Sequence, residues 1–255
     1  MKHLFVPSLL TVAILGAGCP EPVATTPTPI IAVAPSAPAT KIDASLFVKE
    51  TIHEEAARYE IDVSYPRMNG FVDADIQAAF NELIEQRVQD RIAEFRKIQG
   101  EFENESSEIP NEPNWFLGQD FDVYTGAFGR FSIVMEGSEY TGGAHPNAFY
   151  DTVVFDLSTK KEVMFKDLFT SPEEGLVFVS DYAITELTER NTQAEFTDDE
   201  WMQSGAGPKE DNYTTWYLTE KELVIIFTPY QVAAYAAGPS EVRIPYDAMK
   251  GLLAL

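Results

Sequence analysis

Cysteine is almost absent from this 255-residue chain: Cys19 is the only one, which excludes a disulfide framework and a cysteine-built metal site. Basic residues are scarce, 18 Lys and Arg against 41 Asp and Glu. A formal net charge of −23 repels nucleic acid and anionic lipid alike. Histidine occurs three times, at His3, His53 and His145, with no His-x-x-x-His or comparable ligand spacing. The acidic run Asp198-Asp199-Glu200 lacks the spaced Asp/Asn/Gly pattern of a calcium loop, and no metal site or cofactor is expected. The composition that remains, 45% hydrophobic and 12% aromatic, is enough for an ordinary core. The acidic surface either serves solubility alone or favours cationic partners such as basic proteins.

No apolar run is long enough to span a bilayer, but the start of the chain has the layout of an export signal. Lys2 and His3 precede an uncharged stretch from Leu4 to Leu15, and Gly16-Ala17-Gly18 leads to Cys19. A cysteine directly after small residues resembles the lipobox of bacterial lipoproteins, whose thiol is acylated after the leader is removed. Residues 1–18 are then a signal peptide, and the only membrane contact is the lipid on Cys19. Gly16 stands where Leu is commoner, so ordinary cleavage near Ala17 or Gly18 is the competing reading. Residues 19–41, rich in Pro, Thr and Ala, cannot bury a core and read as a tether.

Folded sequence begins near Ile42. Tyr59, Ile61, Val63 and Tyr65 alternate with polar residues as in a half-buried strand, which Pro66 is expected to stop. Ile76, Phe80, Leu83, Ile84, Val88, Ile92 and Phe95 recur at helical spacing, with Asp73 or Asp75 suited to cap the start and Gly100 the end. The charges on that helix, Arg87 and Arg91 among them, read as its solvated face. Residues 101–114 read as a loop. Strand-like runs follow at 121–124, 131–135, 149–155 and 162–165, with a hairpin turn over 156–161. A second helix opens at Ser171-Pro172 with Glu174 completing a capping box. Residues 191–215 read as an acidic excursion before strands at 215–218, 223–227 and 241–244 and a short helix from Tyr246. The result is an α+β class with mixed, mainly antiparallel sheets, not the regular alternation of a parallel fold.

Two motifs stand out. One is Tyr140-Thr141-Gly142-Gly143-Ala144-His145-Pro146-Asn147; the other runs from Phe227 through Tyr230, Tyr235 and Gly238-Pro239 to Tyr246. With Phe155-Asp156-Leu157 and Lys166-Asp167-Leu168-Phe169 between them, they resemble the bacterial extracytoplasmic DUF3298/DUF4163 family over about residues 55–250. That family includes the lysozyme-sensing anti-sigma factor ectodomain and the amino-terminal region of a peptidoglycan deacetylase. The resemblance implies a strand–helix–sheet module over 42–155 and an α+β module over 156–255, the latter related in shape to a subdomain of the Hsp70-type ATPase. Shape alone carries no nucleotide activity. The sequence shows neither the anti-sigma relative's membrane-spanning helix nor the clustered His and Asp of the deacetylase's catalytic domain.

His145 beside Tyr140 and near Asp151 could act as a general base or grip a ligand. Equally, Gly142-Gly143 and His145-Pro146 suit a fixed turn with the imidazole bonded to main chain. The second reading is the simpler, because one imidazole without a nucleophile elbow is a weak catalytic signal. Gly238-Pro239 reads as a hinge or as part of a tyrosine-lined contact surface. The residues to watch for partner binding are therefore Tyr140, Gly142, Gly143, His145, Asn147, Tyr230, Tyr235 and Gly238. Their expected partner is a basic protein such as lysozyme or a cell-wall glycan, and no catalytic residue is assigned. An assembly lipoprotein of an envelope complex is the alternative, and an enzyme acting on peptidoglycan ranks last.

Overall fold

The computed structural model describes residues 42–105, 115–191 and 199–254. Cys19, the leader, the tether and most of the acidic stretch between 101 and 114 lie outside the described residues. The first strand, β1 (Phe47–Glu55), is one that hydrophobic patterning does not announce, since most of its side chains are exposed. It forms a hairpin with β2 (Tyr59–Met68) and occupies the edge of a six-stranded sheet. Lys49, Glu50, Glu54 and Glu55 line it, and charges of this kind discourage an exposed edge from pairing with another chain.

Pro66 does not stop β2, which continues to Met68 opposite Phe47. The parallel ladder to β3 (Trp115–Thr125) ends at Val63 and Gln119, so beyond that point β2 has a ladder on one side only and the missing N–H of proline is tolerated. A parallel pair needs a crossover, supplied here by α1 (Ala74–Glu105). Asp73 caps it, its Oδ1 accepting from the N–H groups of Asp75 at 3.0 Å and Ile76 at 3.1 Å. Gly100 does not end it: the helix continues to Glu105, because a glycine inside a helix costs only about 1 kcal/mol against alanine. Ile76, Phe80, Ile84, Val88, Ile92 and Phe95 are all buried against the sheet. Phe80 meets Phe47, Phe131 and Phe155 at centroid distances of 5.1–5.6 Å.

The face of α1 read as solvated is not wholly so. Arg87 reaches the sheet and donates to Asp151 at 2.5 Å and to both oxygens of Glu162 at 2.6 and 2.7 Å. Arg91 lies 3.9 Å over the ring of Phe149. The sheet continues antiparallel through β4 (Arg130–Tyr140), β5 (Asn147–Asp156) and the two-residue β6 (Lys161–Glu162). The run expected to extend as strand to residue 165 turns instead into a 3-10 turn, Phe165–Leu168. Asp156 closes the β5–β6 hairpin and pairs with Arg130 at 3.0 Å. Burial opposes its ionisation, but hydrogen bonds from Ser158 Oγ, the Thr159 N–H and Arg130 outweigh that and hold the carboxyl below the usual range. A depressed native pKa gives stabilisation that is full above the unfolded value near pH 4 and is lost as pH falls through the native value. Asp156→Asn is therefore expected to lower the thermal midpoint at pH 7, with the gap to the parent protein closing as pH falls below about 4. A gap unchanged by acid would contradict the assignment.

The second layer holds α2 (Pro172–Asn191), α3 (Asp199–Ala206) and a three-stranded antiparallel sheet, β7 (Trp216–Leu218), β8 (Glu222–Phe227) and β9 (Ser240–Pro245). Ser171 caps α2, its Oγ accepting from the Glu174 N–H at 3.4 Å. The stretch read as an excursion contains α3 and a 3-10 turn, Glu210–Tyr213. Met202, Ala206 and Tyr213 from it are buried in one cluster with Val179, Leu187 and Phe227. The small sheet sits on the large one through hydroxyls. Ser132 Oγ on β4 bonds both the N–H of Leu218 (2.9 Å) and its carbonyl (3.1 Å), and Thr152 Oγ1 on β5 accepts from the Trp216 N–H (3.0 Å). The outer edge of β7 is thereby satisfied inside the protein. Among the described residues no helix is long and apolar enough to cross a membrane.

Candidate functional site

The first motif is the connection between β4 and β5, whose ladder ends with Glu139 opposite Asn147. Gly142 and Gly143 take φ of 97° and 105°, a region closed to most side chains, and Tyr140 Oη donates to the Gly143 carbonyl at 3.0 Å. Tyr140 stacks on Phe116 of β3 at 6.2 Å. His145 Nδ1 lies 2.9 Å from the Pro146 carbonyl, which can only accept, so Nδ1 is the donor.

The second motif leaves β8 at Phe227. Tyr230 sits at φ 71°, a left-handed position that costs a non-glycine residue about 1–2 kcal/mol. It is held there by neighbours that the sequence reading did not single out. The Gln231 side chain accepts from the Thr228 N–H at 3.1 Å and donates to the carbonyls of Gly205 at 3.0 Å and Asn212 at 2.8 Å. Trp201 Nε1 donates to the Tyr230 carbonyl at 2.8 Å. Gly205 has to be glycine, since a Cβ there would come within 1.8 Å of the Gln231 carbonyl oxygen. Helix α3 is thus the bed on which the second motif lies. A 3-10 turn at Tyr235–Ala237 follows, closed by Gly238 at φ 71°, and β9 begins two residues later.

The two motifs meet. His145 and Tyr235 stack with ring centroids 4.0 Å apart and 20° between planes, and Tyr230 packs on Tyr235 at 5.3 Å. Tyr235 Oη donates to the Pro146 carbonyl at 2.8 Å, and Tyr230 Oη lies 3.4 Å from His145 Nε2. His145 and two tyrosines 85 or more residues further along the chain form one stack, with Tyr230 53% exposed. Asn147 is exposed at the start of β5. Tyr140, Gly142, Gly143 and Gly238 shape the two supporting turns and add no further ring to the stack. The pairing of His145 with Asp151 does not form, because the Asp151 carboxylate is taken by Arg87. Among the described residues no group of three His, Cys, Asp or Glu could hold a metal ion. Chemically the site offers flat apolar faces with a phenol and an imidazole nitrogen at their edges.

Comparison with known proteins places this architecture. Residues 166–247 match the family model "Protein of unknown function (DUF3298)", and residues 52–148 match "Deacetylase PdaC". The chain thus carries a DUF3298 segment with a PdaC-like segment ahead of it. It is 25% identical over 203 residues to the peptidoglycan-N-acetylmuramic acid deacetylase PdaC of Bacillus subtilis, a match that covers 80% of this chain and 41% of the deacetylase. It is 24% identical over 152 residues to the immunogenic protein MPT64 of Mycobacterium tuberculosis, covering 58% of this chain and 64% of that protein. The chain therefore spans less than two thirds of either relative. A DUF3298 family member from Bacteroides fragilis has the same fold, with TM-score 0.58 and 19% identity over 82% of this chain and 93% of its own. One from Pseudomonas aeruginosa gives 0.55 and 14% over 85% and 95%.

Proposed function

We propose that this chain is an exported, lipid-anchored envelope protein that binds cell-wall glycan through the His145–Tyr235–Tyr230 stack and is not itself a catalyst. One observation carries the reading: two separate loops, the second with Tyr230 in a costly left-handed position, converge to present stacked and partly exposed rings. Backbone strain at an exposed tyrosine is the kind that persists where a function needs it. Sugar rings have apolar faces and hydroxyl edges, which suit aromatic faces bordered by polar atoms. The peptidoglycan deacetylase among its relatives supports the same substrate class. The leader and Cys19 support the location.

Cosedimentation of the protein with purified peptidoglycan at low and moderate salt tests this. Saturable binding that persists at moderate salt is expected. A second reading, binding of a basic protein such as lysozyme, is favoured by the net charge of −23. It predicts instead a complex with lysozyme whose association slows steeply with salt. Within the glycan reading, Tyr230→Gly separates function from stability. Relief of the left-handed strain offsets the lost stacking and the added chain entropy, so the thermal midpoint should stay within about 3 °C of the parent. Glycan binding should nonetheless weaken severalfold. Full binding by this variant would remove Tyr230 from the site.

A further inference from the structure

We propose that a second site, sharing no residue with the aromatic stack, binds a small zwitterion with an apolar body, of the size and chemistry of a free amino acid. A cleft of about 280 Å³ opens where the two layers meet. Thr152 and Val154 of β5, Val163 and Trp216 of β7 line it, so both sheets contribute. Two 3-10 turns complete the wall, and the charged side chains that line the cleft from them differ in sign. Lys166 comes from the turn Phe165–Leu168, and Glu210 and Asp211 come from the turn Glu210–Tyr213.

The charges that line the cleft differ in how they are used. Arg87 and Glu162 neutralise each other through two bonds at 2.6 and 2.7 Å. Among the described residues no ion pair or side-chain hydrogen bond engages Lys166, Glu210 or Asp211. One free ammonium and two free carboxylates lining the same cleft match a ligand carrying a carboxylate and an ammonium. The apolar part of the lining is aromatic as well as aliphatic. Phe165 meets Trp216 edge-on at 5.6 Å and stacks on Tyr213 at 5.4 Å. Met164, 55% exposed, also lines the cleft and would be covered by a ligand bound there. Methionine is flexible and adapts to apolar bodies of different shape. A concave, partly apolar cavity with a few convergent polar groups is the usual form of a small-ligand site.

Titration calorimetry of the full chain with three probes tests this. Phenylalanine keeps both charges, phenylalaninamide keeps only the ammonium, and N-acetylphenylalanine keeps only the carboxylate. Phenylalanine should bind saturably at one site, and each derivative five- to tenfold more weakly. Lys166→Met should weaken phenylalanine and N-acetylphenylalanine but leave the amide unchanged; Asp211→Asn should weaken phenylalanine and the amide but leave N-acetylphenylalanine unchanged. Both residues are exposed, so the thermal midpoints of these variants should match the parent and exclude a folding defect. Absence of saturable binding by any probe up to about 10 mM would overturn the proposal. Equal binding of the three probes, or phenylalanine binding untouched by Lys166→Met, would do so as well.

Discussion

Arg87→Met is expected to lower the stability of the protein by about 3 kcal/mol, the low end for breaking a buried charge cluster. The three side chains are 23–29% exposed, so solvent screens them partly but not fully. Burial works against the charge of Arg87, and the fields of Asp151 and Glu162 outweigh it. Removing the guanidinium leaves two half-buried carboxylates facing each other without a counter-charge, which costs more than the bonds themselves. For a chain of this size the loss corresponds to a drop of about 6–12 °C in the thermal midpoint. Adding Asp151→Asn and Glu162→Gln to the variant should restore part of the loss, because the residual repulsion is then gone. A midpoint within 1 °C of the parent in Arg87→Met would show that the cluster is a surface ornament rather than the clamp of α1 on β5 and β6.

Tyr235→Ala should weaken glycan binding by about thirtyfold, the scale of a central hot-spot aromatic worth about 2 kcal/mol. Tyr235 is the middle ring of the stack and also the tie from the second motif to the first, through its bond to the Pro146 carbonyl. The two roles separate in Tyr235→Phe, which keeps the ring and loses the hydroxyl. That variant should retain most of the binding while the amides of residues 141–147 exchange faster with solvent. Equal binding by parent, Phe and Ala variants would leave the stack without a role in recognition.

Much of the architecture is legible in the residues, and the gaps have physical causes. The apolar face of α1 repeats every three to four residues and the Ser171-Pro172-Glu174 start of α2 is local chemistry, so both are plain in the sequence. β1 is not, because an edge strand with few buried side chains shows no period-two pattern. Pro66 and Gly100 are strong local signals overridden by tertiary context: an edge without a partner in one case, a long packed helix in the other. Helix α3 hides in an acidic stretch, although Met202 and Ala206, four residues apart and both buried, were a usable sign. Arg87 looks like one more solvated charge, and only its contacts to β5 and β6 distinguish it. In the candidate site the glycines, the His-Pro pair and the tyrosines draw attention by themselves. Their meeting does not follow from sequence, since it depends on how the second layer sits on the first and on Gln231 and Trp201 fixing the Tyr230 loop.

The most direct measurement is a backbone and side-chain chemical-shift titration of the protein with soluble peptidoglycan fragments at moderate salt. The account predicts that His145, Tyr230 and Tyr235 shift together, along with the turns at residues 141–147 and 228–238, and saturate with one dissociation constant. Shifts confined to other surfaces, or no saturable shift in the two turns, would contradict it.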